Sequence, residues 1–151
     1  MVIRPYRAAD CPALAELFYD TVHTVCARDY TPDQLDTWAP GPADPAAWDA
    51  SLLAHRTLVA VEGETPVGFA DMDESGYLDR LYIHRDFQRR GIAAALCDAL
   101  EAASAAKTFT THASLTARPF FEHRGWRVIR EQVVFRRGVA LSNFVMERSA
   151  G

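Results

Sequence analysis

Long apolar runs are absent from this chain. No stretch of about 18 apolar residues occurs, so nothing in it reads as a membrane span. The first ten residues, MVIRPYRAAD, lack the extended apolar core of a signal peptide. Cysteine is scarce. Cys11, Cys26 and Cys97 are odd in number and far apart, which speaks against a disulfide framework and predicts reduced thiols in a cytoplasmic protein. Excess positive charge is missing too. The formal net charge is -4, whereas a general nucleic-acid binder usually carries a net basic face. Arg85, Arg89 and Arg90 form a local basic patch. The glycine fingerprints of dinucleotide sites and P-loops are also absent, since Gly91 stands alone where G-x-G-x-x-G needs three. No histidine or cysteine pair has zinc spacing, so no metal site is expected.

What remains is ordinary globular composition. The chain is 49% apolar and 24% charged over 151 residues, which suits one domain, 1–151, with its own core. No repeat, linker or low-complexity tract divides it. Val2 to Tyr6 alternates like a short strand. Asp10 reads as the cap of a helix running to about His23, with Pro12 in its first turn. Thr31-Pro32-Asp33 reads as a second cap and helix start. The proline-rich stretch 39–48 reads as a loop, with a short helix from Trp48 to His55. Strands are expected at 57–62, 66–73 and 77–84, the first two joined at Gly63-Glu64. Ile92, Ala95, Leu96, Ala99, Leu100 and Ala103 recur at helical spacing, which predicts an amphipathic helix over 91–105. A strand at 108–114, a short helix capped by Thr116 and closed by Gly125, and a terminal hairpin around Gly138 complete a mixed α/β order.

The stretch FQRRGIAAAL (87–96) joins a strand to that amphipathic helix. The first amides of a helix have no internal partners, and the helix dipole is positive there. A strand feeding such an end makes an anion site. Gly91 lets a phosphate approach the backbone, Ala93 and Ala94 keep the next turn clear, and Arg89 and Arg90 add attraction. Read alone, one glycine and two arginines fit a pyrophosphate site and a plain helix entry equally well.

Gln88-Arg89-Arg90-Gly91-Ile92-Ala93 matches the Q/R-x-x-G-x-G/A signature of the GNAT family of N-acetyltransferases. LDRLYIHRDF resembles that family's fourth strand and its exit, and ARPFFEHRGW (117–126) resembles its later A-R-x-F-Y-E-x-x-G-F element. Together with YTPDQLDTWAP and RGVALSNFVM, the resemblance spans nearly the whole chain and is closest to a bacterial subgroup. It implies a GNAT fold: a central mixed, mostly antiparallel sheet, splayed between strands four and five, with helices on both faces. It also implies transfer of an acetyl group from acetyl-CoA to the amine of a small molecule or peptide, no metal, no nucleic acid, no membrane, and scope for a homodimer. The CoA pyrophosphate would lie on the amides of Arg89 to Ala94, with Gln88 and Ile92 in the same cradle. Backbone N–H groups around Leu81, Tyr82 and Ile83 would receive the pantetheine arm and the developing oxyanion. Ser114, in the family's usual asparagine position, and Phe120 would complete the CoA side.

For the base, Asp79 is the favoured residue. On an extended strand it points the same way as Tyr77, Leu81 and Ile83, and apolar neighbours raise a carboxylate's pKa. Asp71 and Asp73 are weaker candidates. Phe121 stands where the family usually has a tyrosine acid. Since a free thiol has a pKa near 8.5, CoA thiolate is a tolerable leaving group without one. The same departure keeps open a second reading, an acyl-CoA-binding sensor module that catalyses nothing. His84 reads as a turn residue, and His112 and His123 as structural or exposed. His23, Cys26, Tyr30 and Trp38 are candidates for lining the acceptor pocket. Two expectations concern the acceptor. Asp20, Asp33, Asp36, Asp71, Asp73, Glu74 and Asp79 gathering at the site would favour a cationic amine. Exposed Trp38 and Phe144 would stack on an aromatic one.

Overall fold

A computed structural model describes residues 1–41 and 44–151. Seven strands form one sheet: β1 (Val2–Pro5), β2 (Arg56–Glu62), β3 (Thr65–Met72), β4 (Tyr77–Ile83), β5 (Thr108–Ser114), β6 (Arg127–Arg136) and β7 (Val139–Ser149). Their order is β1-β2-β3-β4-β5-β7-β6. Every pairing is antiparallel except β4 with β5. That exception makes the site. The two parallel strands meet only at Tyr77↔Thr110 and Leu78↔Thr111, where Thr111 Oγ1 donates to the Leu78 carbonyl at 2.8 Å. Beyond Leu78 they part, and the second half of β4 has an open edge.

Five helices cover the sheet: α1 (Cys11–Thr24), α2 (Pro32–Trp38), α3 (Pro45–Ala54), α4 (Ile92–Ala103) and α5 (Arg118–His123). On one face Ile92, Leu96 and Leu100 of α4 and Phe121 of α5 pack on Ala70, Met72, Leu78 and Phe109. The periodicity that defines α4 in the sequence is therefore its buried stripe. On the other face Leu14 and Leu17 of α1 and Leu52 of α3 pack on Val59 and Phe69. Gly68 lets α4 sit close to the sheet, because a Cβ there would lie 2.7 Å from Ile83 Cδ1 and 3.3 Å from Ile92 Cγ2.

Several local expectations change. Asp10 does not cap α1 with its side chain. Its carboxylate accepts two hydrogen bonds from the Arg4 guanidinium, each 2.8 Å, and one from the Arg7 amide. Charge-assisted pairing outcompeted the cap. Thr31 does cap α2, in a reciprocal box with Gln34. Within 39–48, residues 42 and 43 lie outside the described residues. α3 begins at Pro45 rather than Trp48, capped by Asp44, which accepts from the Ala46 and Ala47 amides. Pro45 starts a helix, as proline can at the first position. α4 ends at Ala103. Thr116 does not cap α5. Its hydroxyl donates to Asp29, while Ser114 Oγ accepts the Ala117 amide.

Candidate active site

The opening between β4 and β5 is one end of a cavity of about 1290 Å³. Asp79, Leu81, Tyr82, Ile83, Gln88, Arg89, Gly91, Ile92, Ala93, Ala94, Ser114 and Phe120 all line it. Of the residues expected to hold CoA, Arg90 alone lies outside that lining. Its guanidinium lies 4.8 Å from the Phe87 ring centroid instead.

At the mouth of α4, Gly91 has φ +79° and Arg89 φ +60°. Two left-handed residues in three turn the chain sharply, so the loop amides face a common space before the helix begins. A Cβ built on Gly91 meets no atom within 4 Å. That opening leaves room for a phosphate against bare backbone, which fits the sequence expectation. Gln88 braces the loop by donating to the Ile83 carbonyl at 2.6 Å. Arg85 turns away to Asp20, and His84 caps the turn at 85–87 by accepting the Asp86 amide.

The β4 ladder divides the three backbone candidates. The His84 amide donates to Val67 of β3, and the Arg80 amide to the Asp71 carboxylate. In an antiparallel pair alternate residues face the same neighbour. Tyr82 therefore turns its amide toward β3, while Leu81 and Ile83 face the opening. The Ile83 carbonyl there also accepts from Thr21.

Asp79 sits at a β-bulge. Asp71 pairs with Arg80 and Met72 with Leu78, leaving Asp79 as the extra residue on β4. A bulge breaks strict alternation. Leu78, Leu81 and Ile83 pack on the α4 face, but the Asp79 carboxylate lies with groups of the opposite face, 3.9 Å from both His55 Nδ1 and Arg80 Nη2. It does not share the side of Leu81 and Ile83 that alternation predicted. It still reaches the cavity.

Behind Asp79 lies Asp71, fully buried. It accepts from the Arg80 amide at 2.8 Å, the Arg80 guanidinium at 3.1 Å and His55 Nδ1 at 2.9 Å. Burial pushes its carboxyl above the usual range, against the opposing pull of Arg80 and His55. Arg80 also donates to Ser51 at 2.6 Å. Asp71→Ala leaves three part-buried donors without their acceptor and Arg80 without its buried counter-charge, so it is expected to cost ~3–5 kcal/mol of folding stability in a urea titration. Tyr77, at the fork, is pushed up to about 12, by burial first and then by the Asp79 charge. It stays protonated at neutral pH.

The acidic residues do not gather. Of those expected, only Asp79 lines the cavity. Asp71 is sealed, Asp20 pairs with Arg85, and Asp73 accepts from Ser75 and Tyr77 in the β3–β4 turn. His23 turns away to the Ala39 carbonyl, while Cys26, Tyr30 and Trp38 line the cavity as expected. Phe144 is buried beneath Arg118 rather than exposed. Phe121 packs in the core against Trp126. Phe18 and Trp48 also line the cavity and were not singled out in the sequence. Their helical spacing reads as core, and half of each is core.

A sheet forked at a parallel pair, with a left-handed turn and helix mouth beside the fork, defines the GNAT class of α/β fold. The comparisons agree. A model of the acetyltransferase (GNAT) domain matches residues 26–148. The chain is 34% identical over 144 residues to the uncharacterised N-acetyltransferase YafP of Escherichia coli (strain K12), spanning 95% of this chain and 93% of that one. The crystal structure of a GCN5-related N-acetyltransferase from Rhodopseudomonas palustris superposes with a TM-score of 0.94 at 33% identity, covering 98% and 94% of the two chains. A phosphinothricin acetyltransferase from Sinorhizobium meliloti, solved with acetyl-CoA, shares the fold at a TM-score of 0.76 and 17% identity, covering 99% and 88%. The chain belongs to the GNAT family, the acetyl-CoA-dependent N-acetyltransferases.

Proposed function

We propose that this protein moves the acetyl group of acetyl-CoA to an amine by direct attack within a ternary complex, with Asp79 as the base. The observation that carries the reading is the position of Asp79. It lies one residue beyond the last β4–β5 pair, where the open edge of β4 begins and the cavity continues to the mouth of α4. The amides from Gln88 to Ala94, aided by Arg89, hold the pyrophosphate. The free edge at Leu81 and Ile83 pairs with the pantetheine arm and offers N–H groups to the oxyanion. Ser114 and Phe120 flank the arm from the β5 side. Asp79 takes a proton from the amine, directly or through one water, as the nitrogen bonds to the carbonyl carbon and the carbon–sulfur bond breaks. The electron pair leaves on sulfur. With Phe121 in the core, no acid stands in the tyrosine position, and the thiolate leaves unprotonated.

The test is a calorimetric titration with acetyl-CoA, followed by an assay of free CoA released with a panel of amines. Binding with amine-dependent release is the expected result. Phe121 favours the competing reading, an acyl-CoA sensor without catalysis, and binding without release by any amine would establish that reading instead. Absence of binding would overturn both.

A further inference from the structure

The wall of the cavity opposite the helix mouth is aromatic. Phe18 of α1, Trp38 of α2, Trp48 of α3 and Tyr82 of β4 all line it and all are only partly buried. Ring centroids lie 4.9 Å apart for Phe18 and Tyr82, 5.3 Å for Phe18 and Trp48, and 6.4 Å for Trp38 and Tyr82. The rings bridge two separate core clusters, so each is fixed on its inner side and open on its outer one. Four elements contributing one partly buried ring apiece to a single hollow leave an apolar surface that nothing among the described residues covers.

Polar groups line the same cavity. The Asp79 carboxylate is 3.9 Å from an Arg80 nitrogen, and that guanidinium lies 5.1 Å from the Trp48 ring centroid. Asp71 balances the charge of Arg80, which leaves Asp79 to meet an ammonium. Asp44, the other acidic residue of the lining, is occupied in capping α3. Arg136 also lines the cavity, so a second ammonium on the same molecule would meet a cation of like charge. Asn143, on β7 across from Ser114, carries a buried amide oxygen with no donor among the described residues, and it too lines the cavity.

We propose that the acceptor is a monoamine carried on a flat apolar body, an arylalkylamine, whose ring lies on the wall of Phe18, Trp38, Trp48 and Tyr82 while its nitrogen reaches Asp79. This deepens the acetyl-transfer reading and rests on it for the role of Asp79. An aliphatic diamine offers nothing to the rings and one charge too many. A ring bearing an N–H or O–H has an acceptor in Asn143. Trp48 sets the specificity, because the Arg80 guanidinium that stands beside Asp79 also lies over its ring.

The experiment uses the CoA-bound protein and two probes, phenethylamine and putrescine, each followed by calorimetry and by acetyl transfer. Phenethylamine is expected to bind about tenfold more tightly than putrescine, the scale of an added aromatic contact. Trp48→Leu is expected to weaken phenethylamine about tenfold and leave the CoA titration unchanged, whereas Trp48→Phe keeps most of the affinity. An unchanged CoA titration also certifies that each variant is folded. Putrescine binding as well as phenethylamine, neither amine binding, or indifference of phenethylamine to Trp48→Leu would overturn the proposal. The two readings fail differently. Phenethylamine bound but not acetylated removes the transfer chemistry and keeps the acceptor class, while putrescine acetylated in preference does the reverse.

Discussion

Replacing Gly91 by aspartate is expected to abolish acetyl-CoA binding in a protein that still folds. The position has φ +79° and open space where a Cβ would stand. The new side chain therefore clashes with nothing of the protein and points into the space the loop amides face. Backbone strain from a left-handed aspartate is ~1–2 kcal/mol, tolerable for a folded domain. The penalty on binding is larger. A carboxylate roughly 4 Å from a phosphate repels it by ~4 kcal/mol at an effective dielectric constant near 20, close to a thousandfold in affinity. Gly91→Asn is the control, because asparagine adopts the left-handed region more readily than most residues and carries no charge. Calorimetry should find no acetyl-CoA binding to the aspartate variant and weakened but measurable binding to the asparagine variant. Equal affinities in wild type and a folded aspartate variant would remove the pyrophosphate from this loop.

That loop was readable in the sequence because its chemistry is local. A strand, a lone glycine and an amphipathic helix are consecutive, and the shape of the turn depends on its own backbone. The strand order and the fork were less local, and they entered through the resemblance of two motifs rather than through periodicity. The bulge at Asp79 was not readable. Bulges are set by the partner strand, here by Asp71 accepting the Arg80 amide, and β4 alone reads as unbroken alternation. The same blindness to partners explains the helix starts that shifted. Asp10 and Thr116 are good caps by residue type, yet Arg4 and Asp29 drew their side chains elsewhere. The aromatic wall of the cavity escaped for a related reason. Phe18 and Trp48 lie thirty residues apart on different helices, and only the packing of α1 and α3 on the sheet brings them to one surface.

The bulge gives Asp79 a second large expected effect. Asp79→Asn should lower kcat by about 10²–10⁴, the usual contribution of a positioned general base, while the acetyl-CoA titration stays unchanged. The neighbouring carboxylate and the two tyrosines are poorly placed as bases. Asp71 is sealed from the cavity, and the Tyr77 and Tyr82 hydroxyls are pushed up by burial, so both remain proton donors rather than acceptors at neutral pH. Asp79 has no neighbour among the described residues close enough to hold its proton site permanently. His55 and Arg80 stand at 3.9 Å, beyond hydrogen-bond reach. Ion pairs that loose and that exposed contribute ~0–1 kcal/mol, so the asparagine variant should unfold at nearly the wild-type urea concentration. Single-turnover kinetics with saturating acetyl-CoA separates the chemical step from binding. A drop in the chemical step with unchanged stability and CoA affinity assigns Asp79 to proton transfer. Parallel losses in kcat, CoA affinity and stability would make Asp79 a strut of the bulge, and the proton would then have to leave by another route.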